Sequence, residues 1–215
     1  MNNLIEAKEN ESPILLLFNK DSLYQIVAAG GIGKAYGFEF FITKKSGRLN
    51  GWLAYTLAWN KRQFQDLNFG KEYPFVYDRR HDFSISAKYS FSSKFSISGV
   101  WVYHTGDALT LPIASYYDKE GKYRFIYGEK NSYRMPPYHR LDIGFNWSWV
   151  SKKIAKKSQL QLNIYNLYNR RNAFLLSPFE KTIFDDKGLP INKEYKIVQK
   201  SFLPILPSVS FTREI

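Results

Sequence analysis

Cysteine is absent from the 215 residues, so the chain can build neither a disulfide framework nor a thiolate metal site. That suits an oxidising compartment without demanding one. Long apolar runs are missing as well. The longest, Ile14 to Phe18, falls far short of the ~20 residues a membrane-spanning helix needs. Leu-rich or Ala-rich helical stretches do not occur. The opening MNNLIEAKENES has no basic region followed by an apolar one, so it does not read as an export signal. Acidic residues are few, 19 against 31 basic ones, and the net charge of +12 raises nucleic acid or an anionic surface as a partner. The basic residues form no single block. Lys44, Lys45 and Arg48 sit at one turn, Lys152, Lys153, Lys156 and Lys157 at another, and Arg62, Arg79, Arg80, Arg134, Arg170 and Arg171 fall near the opposite strand ends.

What the chain does have is aromatic residues, 16 Tyr, 17 Phe and 5 Trp, combined with a negative mean hydropathy. Large apolar groups must therefore be interleaved with polar ones, as alternating strands require. In 34–45, Tyr36, Phe38, Phe40 and Ile42 share a face and Glu39 lies opposite; in 49–60, Leu49, Leu53, Tyr55, Leu57 and Trp59 share one. Phe83, Ile85, Ala87, Tyr89 and Phe91 alternate with Asp82, Ser84, Ser86, Lys88 and Ser90. After Ser92-Ser93 come Phe95, Ile97, Gly99, Trp101 and Tyr103, with Lys94, Ser96, Ser98 and His104 opposed. RLDIGFNWSWV sets Leu141, Ile143, Phe145, Trp147 and Trp149 against Arg140, Asp142, Asn146 and Ser148. Leu160, Leu162 and Ile164 carry the next strand, which the pattern extends to about Phe184 before Asp185–Gly188 turns it back. Leu203, Ile205, Val209 and Phe211 are in phase at the end. Residues 1–9 and about 22–29 are weaker strand candidates.

Connections alternate in length: short at 46–48, 92–93 and 150–157, long at 61–79, 106–138 and around 169–193. A soluble β-sandwich has no need of that asymmetry, whereas a transmembrane β-barrel pairs short periplasmic turns with long extracellular loops. Eleven residues at ~3.3 Å each span ~36 Å, and a ~45° tilt projects that to ~25 Å, the height of an outer-membrane apolar band. The pattern predicts an all-β, antiparallel transmembrane barrel segment with its aromatic face to lipid and its small polar face to a lumen.

Motifs for chemistry are weak. GGIGKAYG (30–37) has the wrong spacing for a phosphate loop, lacks Ser or Thr after Lys34 and leads into a strand. His81 and Asp82 point to opposite faces, and His104 and His139 differ in parity, so no triad or metal site is expected. Asp118 and Glu120 before Gly121 read as a hairpin tip, not a calcium loop. The sequon Asn146-Trp147-Ser148 lies inside a strand. No catalytic, cofactor or metal residues are predicted. Glu39, Asp82, Arg140 and Asp142 are charges on the face opposite the apolar stripe, expected to line the lumen or touch a plug, since isolated buried charge is costly. Arg79, Arg80, Arg134, Arg170 and Arg171 are expected at the extracellular rim, where Arg suits lipopolysaccharide phosphates.

Six segments in order, AYGFEFFITKKSGRLNGWLAYTLAW, YPFVYDRRHDFSISAKY, ISGVWVYHTGDALTLP, YRMPPYHRLDIGFNWSW, LNIYNLYNRRNAF and LPILPSVSF, resemble the last third of TonB-dependent outer-membrane receptors. The likeness is to the subgroup that begins with a carboxypeptidase-regulatory-like domain, and it covers residues 20–213. The resemblance implies a barrel of about 22 strands around an N-terminal plug, in the outer membrane of a Gram-negative bacterium. It also implies uptake of a ferric siderophore, cobalamin or glycan-type substrate. Partners would be the plug and remaining strands, the TonB energising complex acting on an N-terminal segment, lipid and lipopolysaccharide, and a surface lipoprotein, with no nucleic acid and no cofactor. The family usually ends in an aromatic; Arg213 and Ile215 depart from that pattern. About eight crossings are readable here, too few for such a barrel. Residues 1–215 are thus expected to be the C-terminal barrel portion of a receptor, with plug and earlier strands absent, as from an incomplete gene. The alternatives are a complete eight-stranded outer-membrane barrel, which would need export, and a soluble β-rich module binding glycan or nucleic acid through its aromatics. An enzyme is a distant third.

Overall fold

The structure, a computed structural model, describes residues 1–8, 27–121, 123–150 and 156–214. Strands dominate it, and no described helix is long and apolar enough to cross a membrane. The main sheet runs through β1 (Leu4–Ala7), β2 (Val27–Lys44), β3 (Leu49–Gln63), β5 (His81–Ser90), β6 (Phe95–His104), β11 (Tyr138–Val150), β12 (Lys157–Tyr165) and β15 (Leu206–Arg213) in that order, with β4 (Tyr73–Pro74) pairing β3 off the path. Among the described residues β1 and β15, at the two ends of this path, are not paired with each other. Three two-stranded sheets accompany it: β7 (Ala108–Leu109) with β10 (Tyr133–Arg134), β8 (Pro112–Tyr117) with β9 (Tyr123–Tyr127), and β13 (Leu175–Phe184) with β14 (Pro190–Lys200).

The chain divides into two compact units. The first comprises Met1–Phe38, Leu57–Arg80 and Thr105–Met135. It holds the small buried core of Ala28, Phe64, Leu67 and Tyr73, with Leu4 against it. Gly31 belongs to this core: a Cβ there would meet the Phe64 ring at 2.3 Å, so only glycine leaves the ring room. Gly106 is held as tightly, with the Met135 carbonyl in the space a side chain would take.

The second unit comprises Glu39–Thr56, His81–His104 and Pro136–Ile215. Its register shows why the alternation is there. Asp82, Ser84, Ser86 and Lys88 stand opposite His104, Val102, Val100 and Ser98. On β11 the same row continues through Tyr138, Arg140, Asp142 and Gly144. It passes to Tyr165, Asn163, Gln161 and Gln159 on β12, then to Leu206, Ser208, Ser210 and Thr212 on β15. Because the side-chain period is two, every second residue across five strands belongs to one face, polar apart from Val100, Val102, Gly144 and Leu206. The other face carries Phe83, Trp101, Leu141, Phe145, Trp147, Leu160, Leu162, Val209 and Phe211. Its aromatics pack in contiguous rows, Phe91 to Phe95 to Trp147 at 5.4 and 4.9 Å between centroids and Trp149 to Phe211 at 6.1 Å.

Several expectations need correcting. The strand beginning at Leu160 does not continue to Phe184. β12 stops at Tyr165, because Asn166 and Asn169 take positive φ (53° and 52°), a region Asn tolerates and a strand does not. Residues 175–184 pair instead with β14 in a separate hairpin. Leu203 and Ile205 lie before β15, and Leu203 has φ of 53°; in-phase residues of β15 itself are Pro207, Val209 and Phe211. The long connections contain short elements of their own, β4, β7 to β10 and the β13–β14 hairpin. The turns at Asp118–Gly121 and Asp185–Gly188 stand as expected: Gly121 and Gly188 have φ of 76° and 77°, and each aspartate carboxylate accepts backbone N–H groups. GGIGKAYG lies within β2, not before a helix. Lys152 and Lys153, the run Ile14 to Phe18, part of the 22–29 stretch and Ile215 lie outside the described residues.

Candidate functional site

Two polar networks gather the charged residues, one in each unit. In the first unit the connection after β3 folds back through Phe75 N–H to the Asn60 carbonyl and Asp78 N–H to the Phe75 carbonyl. This buries Asp78, whose side chain is 1 % exposed. One carboxylate oxygen accepts the Asn60 N–H at 2.6 Å. The other faces Arg80 at 3.2 Å and Arg134, which also donates to the Asp78 and Gly106 carbonyls. A buried carboxylate left alone would be costly, and two guanidiniums with a backbone donor remove that cost. Arg80 extends over the Trp59 ring at 4.6 Å, and Trp59 stacks on Tyr36 at 5.4 Å. Arg79 pairs with Asp107 at 2.7 Å.

Further ties fix the same unit. Glu6 accepts from Arg62 at 3.1 Å and faces Lys130 at 3.3 Å, while Arg62 lies over the Phe75 ring at 3.5 Å. Glu72 accepts from Lys61 and Lys34; the Lys61 hydrogen bond, then that from Lys34, holds its carboxyl below the usual range. Tyr73 is pushed above the usual phenol range by burial, reinforced by Glu6. The Asn131 amide donates to the Pro74 carbonyl and its N–H goes to the Thr110 hydroxyl.

In the second unit the network lies on the polar face. Arg140 meets both oxygens of Asp142 at 3.0 Å and the hydroxyls of Tyr138 and Tyr165 at 2.8 Å each, with its guanidinium 4.1 Å over the Tyr165 ring. Asp142 also accepts the Asn166 N–H at 2.9 Å, which couples it to the sharp end of β12. Asn166 is buried and bridges the Arg170 and Leu203 carbonyls. His104 stacks on Tyr138 at 4.9 Å.

Of the four residues expected on the lumen side, Arg140 and Asp142 are therefore brought together. Asp82 shares their face through its register with His104 and Tyr138 but makes no ion pair among the described residues. Glu39, exposed on β2, makes none either. Of the five arginines expected at the rim, Arg79, Arg80 and Arg134 are engaged by Asp107 and Asp78. Arg170 donates to Asn172 and the Pro137 carbonyl. The Arg171 guanidinium meets no partner among the described residues. The histidines stay apart, His81 at the Tyr55 hydroxyl and His139 at that of Tyr168, and among the described residues no group of acids and histidines is placed to hold a metal.

Sequence reasoning missed Asp78, Asp107, Tyr138 and Tyr165. Asp78 carried a usable signal, a lone carboxylate directly before Arg79-Arg80. The two tyrosines carried none beyond parity, because their meeting depends on the β11–β12 register.

These networks set a framework and offer no nucleophile–base pair or convergent donors for a reaction. Comparison with known proteins agrees with a wall element. No curated protein and no solved structure matches the chain. The family described as TonB dependent receptor-like, β-barrel, matches residues 2–167. With more than half of its length covered, and with strands whose two faces differ as a barrel wall requires, this chain belongs to the TonB-dependent receptor-like β-barrel family.

Proposed function

We propose that the chain is the C-terminal barrel portion of a TonB-dependent outer-membrane receptor and takes part in nutrient uptake without doing chemistry. The observation that carries this is the two-faced register across β5, β6, β11, β12 and β15, on a chain of that family. In lipid every backbone polar group must be paired and outward side chains must be apolar; the aromatic face meets the second demand, and the continuous ladder meets the first except at its two edges, β1 and β15, which the remaining strands of the receptor would pair. The polar face then borders the lumen. Residues 61–79, 106–138 and 169–193 are the extracellular loops, fixed by the Asp78 and Glu6 networks and by β13–β14. A siderophore, cobalamin or glycan-type compound is the substrate, the plug and the remaining strands complete the receptor, and the energising complex engages a segment outside this chain. A surface lipoprotein would meet the same loops. The quoted segments favour the subgroup carrying a carboxypeptidase-regulatory-like domain. Among the rim arginines Arg171 is the one open to lipopolysaccharide phosphate, a contact expected to weaken as salt rises.

The test is collisional quenching. Trp101, Trp147 and Trp149 lie on the apolar face, so reconstitution into bilayers of brominated lipid should quench most of their fluorescence. Fluorescence equal to that in unbrominated bilayers would remove the membrane reading and favour a soluble module.

A further inference from the structure

The polar face has a distinctive end. Where β2 turns to β3 and β5 to β6, next to the last residues of β11, a concavity of about 680 Å³ opens. Arg48, Lys88 and Lys94 line it together with Ser90, Asn146 and Ser148 and with the rings of the turn, Phe91 and Phe95, and no carboxylate lines it among the described residues. All three cations are exposed and meet no carboxylate among those residues. Their backbones, in contrast, are held firmly. Ser90 N–H donates to the Arg48 carbonyl at 2.8 Å and Ser148 N–H to the Lys94 carbonyl at 2.7 Å. The Ser92 hydroxyl accepts from the N–H groups of Lys94 and Phe95. Gln159 donates to Asn146 at 2.5 Å, and the Asn146 amide reaches the Ser148 hydroxyl at 3.4 Å. Fixed backbones carrying like charges around one concavity concentrate positive potential there, and the cost of that repulsion is relieved by an anion.

We propose that this end of the polar face is a seat for an acidic protein segment. Its carboxylates would be held by Arg48, Lys88 and Lys94, with hydroxyl and amide donors from Ser90, Asn146 and Ser148 filling the remaining acceptor sites. Parity decides the kind of occupant. Lys88, Ser90 and Ser148 alternate with Tyr89, Trp147 and Trp149, so the strand residues that would hold the anion face away from the aromatic rows, although Phe91 and Phe95 of those rows also line the concavity. An anion reaching it comes from the polar side, where a protein segment is the natural carrier of several carboxylates at strand spacing. The inference rests on the reading of that face as the lumen wall, and its occupant would lie at the short-turn end of the lumen.

The experiment uses the full chain refolded in detergent and a fluorescein-labelled peptide of alternating Glu and Ser, followed by anisotropy. Binding should weaken with salt, a Lys–Ser peptide should not bind, and the R48Q/K88Q/K94Q variant should lose about tenfold or more in affinity. The K187Q variant, altered at the β13–β14 turn, should bind like the parent chain. Unchanged affinity in the triple variant overturns the proposal, as does an equal loss in K187Q. Binding of phosphatidylglycerol vesicles that depends on the same three cations would assign the seat to lipid and overturn it as well. Brominated-lipid quenching on the same preparation separates the failures. Quenching with no peptide binding sinks the seat alone, and loss of quenching sinks the lumen reading beneath it.

Discussion

The two units reach stability by opposite routes. The first spends its charges on one another and encloses a small core: Asp78, Glu6, Glu72 and Asp107 each hold one or two cations, and Phe64, Tyr73, Leu67 and Ala28 are buried. The second has almost no enclosed core. Phe211, Val209, Trp147 and Trp149 remain 60, 70, 38 and 40 % exposed, and its charges sit on the face opposite them. An element that is fixed by its own contacts can act as a loop platform in water. A sheet that leaves its largest side chains uncovered needs an apolar solvent, since a contiguous apolar surface of this kind is not left bare in a soluble monomer. The difference is one of degree, since Tyr36 and Phe38 of the first unit are also 56 and 59 % exposed, and each unit can be broken by attacking what it depends on.

The largest effect should come from the enclosed core. Phe64→Ala removes the ring that fills the space beside Gly31 and should destabilise the first unit by about 3–5 kcal/mol. Urea unfolding of the detergent-refolded chain should show a lower midpoint; an unchanged midpoint would mean the core contributes nothing. Next is Asp78→Ala, which leaves the Asn60 N–H, Arg80 and Arg134 facing one another. Breaking a buried pair costs ~3–5 kcal/mol, and because both arginines are about a third exposed, screening reduces this to roughly 2–3 kcal/mol. Asp78→Asn, which keeps the acceptor for Asn60, should lose less. A double-mutant cycle with Arg134→Ala measures the coupling directly, and additive losses would show that the pair does not interact.

On the second unit the equivalent substitution should matter less, and that contrast is the sharpest check on the comparison. Arg140→Ala removes bonds to Asp142, Tyr138 and Tyr165, yet the side chain is 23 % exposed and borders a polar face where water can replace it. The expected loss is about 1–2 kcal/mol. Arg140→Lys should recover little of it, because a point charge cannot serve a carboxylate and two phenols in a fork. A loss for Arg140→Ala equal to that for Asp78→Ala would erase the distinction drawn between the units.

How much of this could be read from the residues follows from what each element depends on. β5, β6 and β11 were legible almost to the residue because their alternation is strict, and because β5 pairs with β6, and β11 with β12, across short turns. β4, β7 and β10 are two-residue ladders defined by hydrogen bonds to distant segments, and no local pattern announces them. The misplaced end of β12 had a signal that periodicity overrode, the asparagines of YNLYN, which favour left-handed backbone. Arg140 and Asp142 were legible as charges out of phase with an apolar stripe. The rim arginines were placed by proximity to strand ends, a rule that finds position but not partner. Asp78 lies 2 residues from Arg80 but 56 from Arg134, and Asp107 lies 28 from Arg79, so only the fold joins most of these pairs.

The smallest effect should be the dependence of the first unit on acid. Glu72 is hydrogen-bonded by Lys61 at 2.6 Å and Lys34 at 3.1 Å, and these bonds depress its folded carboxyl below the ordinary glutamate value. Depression fixes the sign. The contribution is fully present above the unfolded carboxyl value of about 4.3, and it is lost as pH falls through the lower folded value. The carboxylate is about a third exposed, so the amount is only a few tenths of a kcal/mol. Glu72→Gln should therefore unfold at nearly the parent urea concentration at pH 3 and slightly below it at pH 7, where the parent keeps its ion pairs. The difference between the two proteins is the quantity to follow. A difference that grew as pH fell would reverse the assigned sign, and one independent of pH would mean the lysines hold Glu72 through packing of their stems and not through its charge.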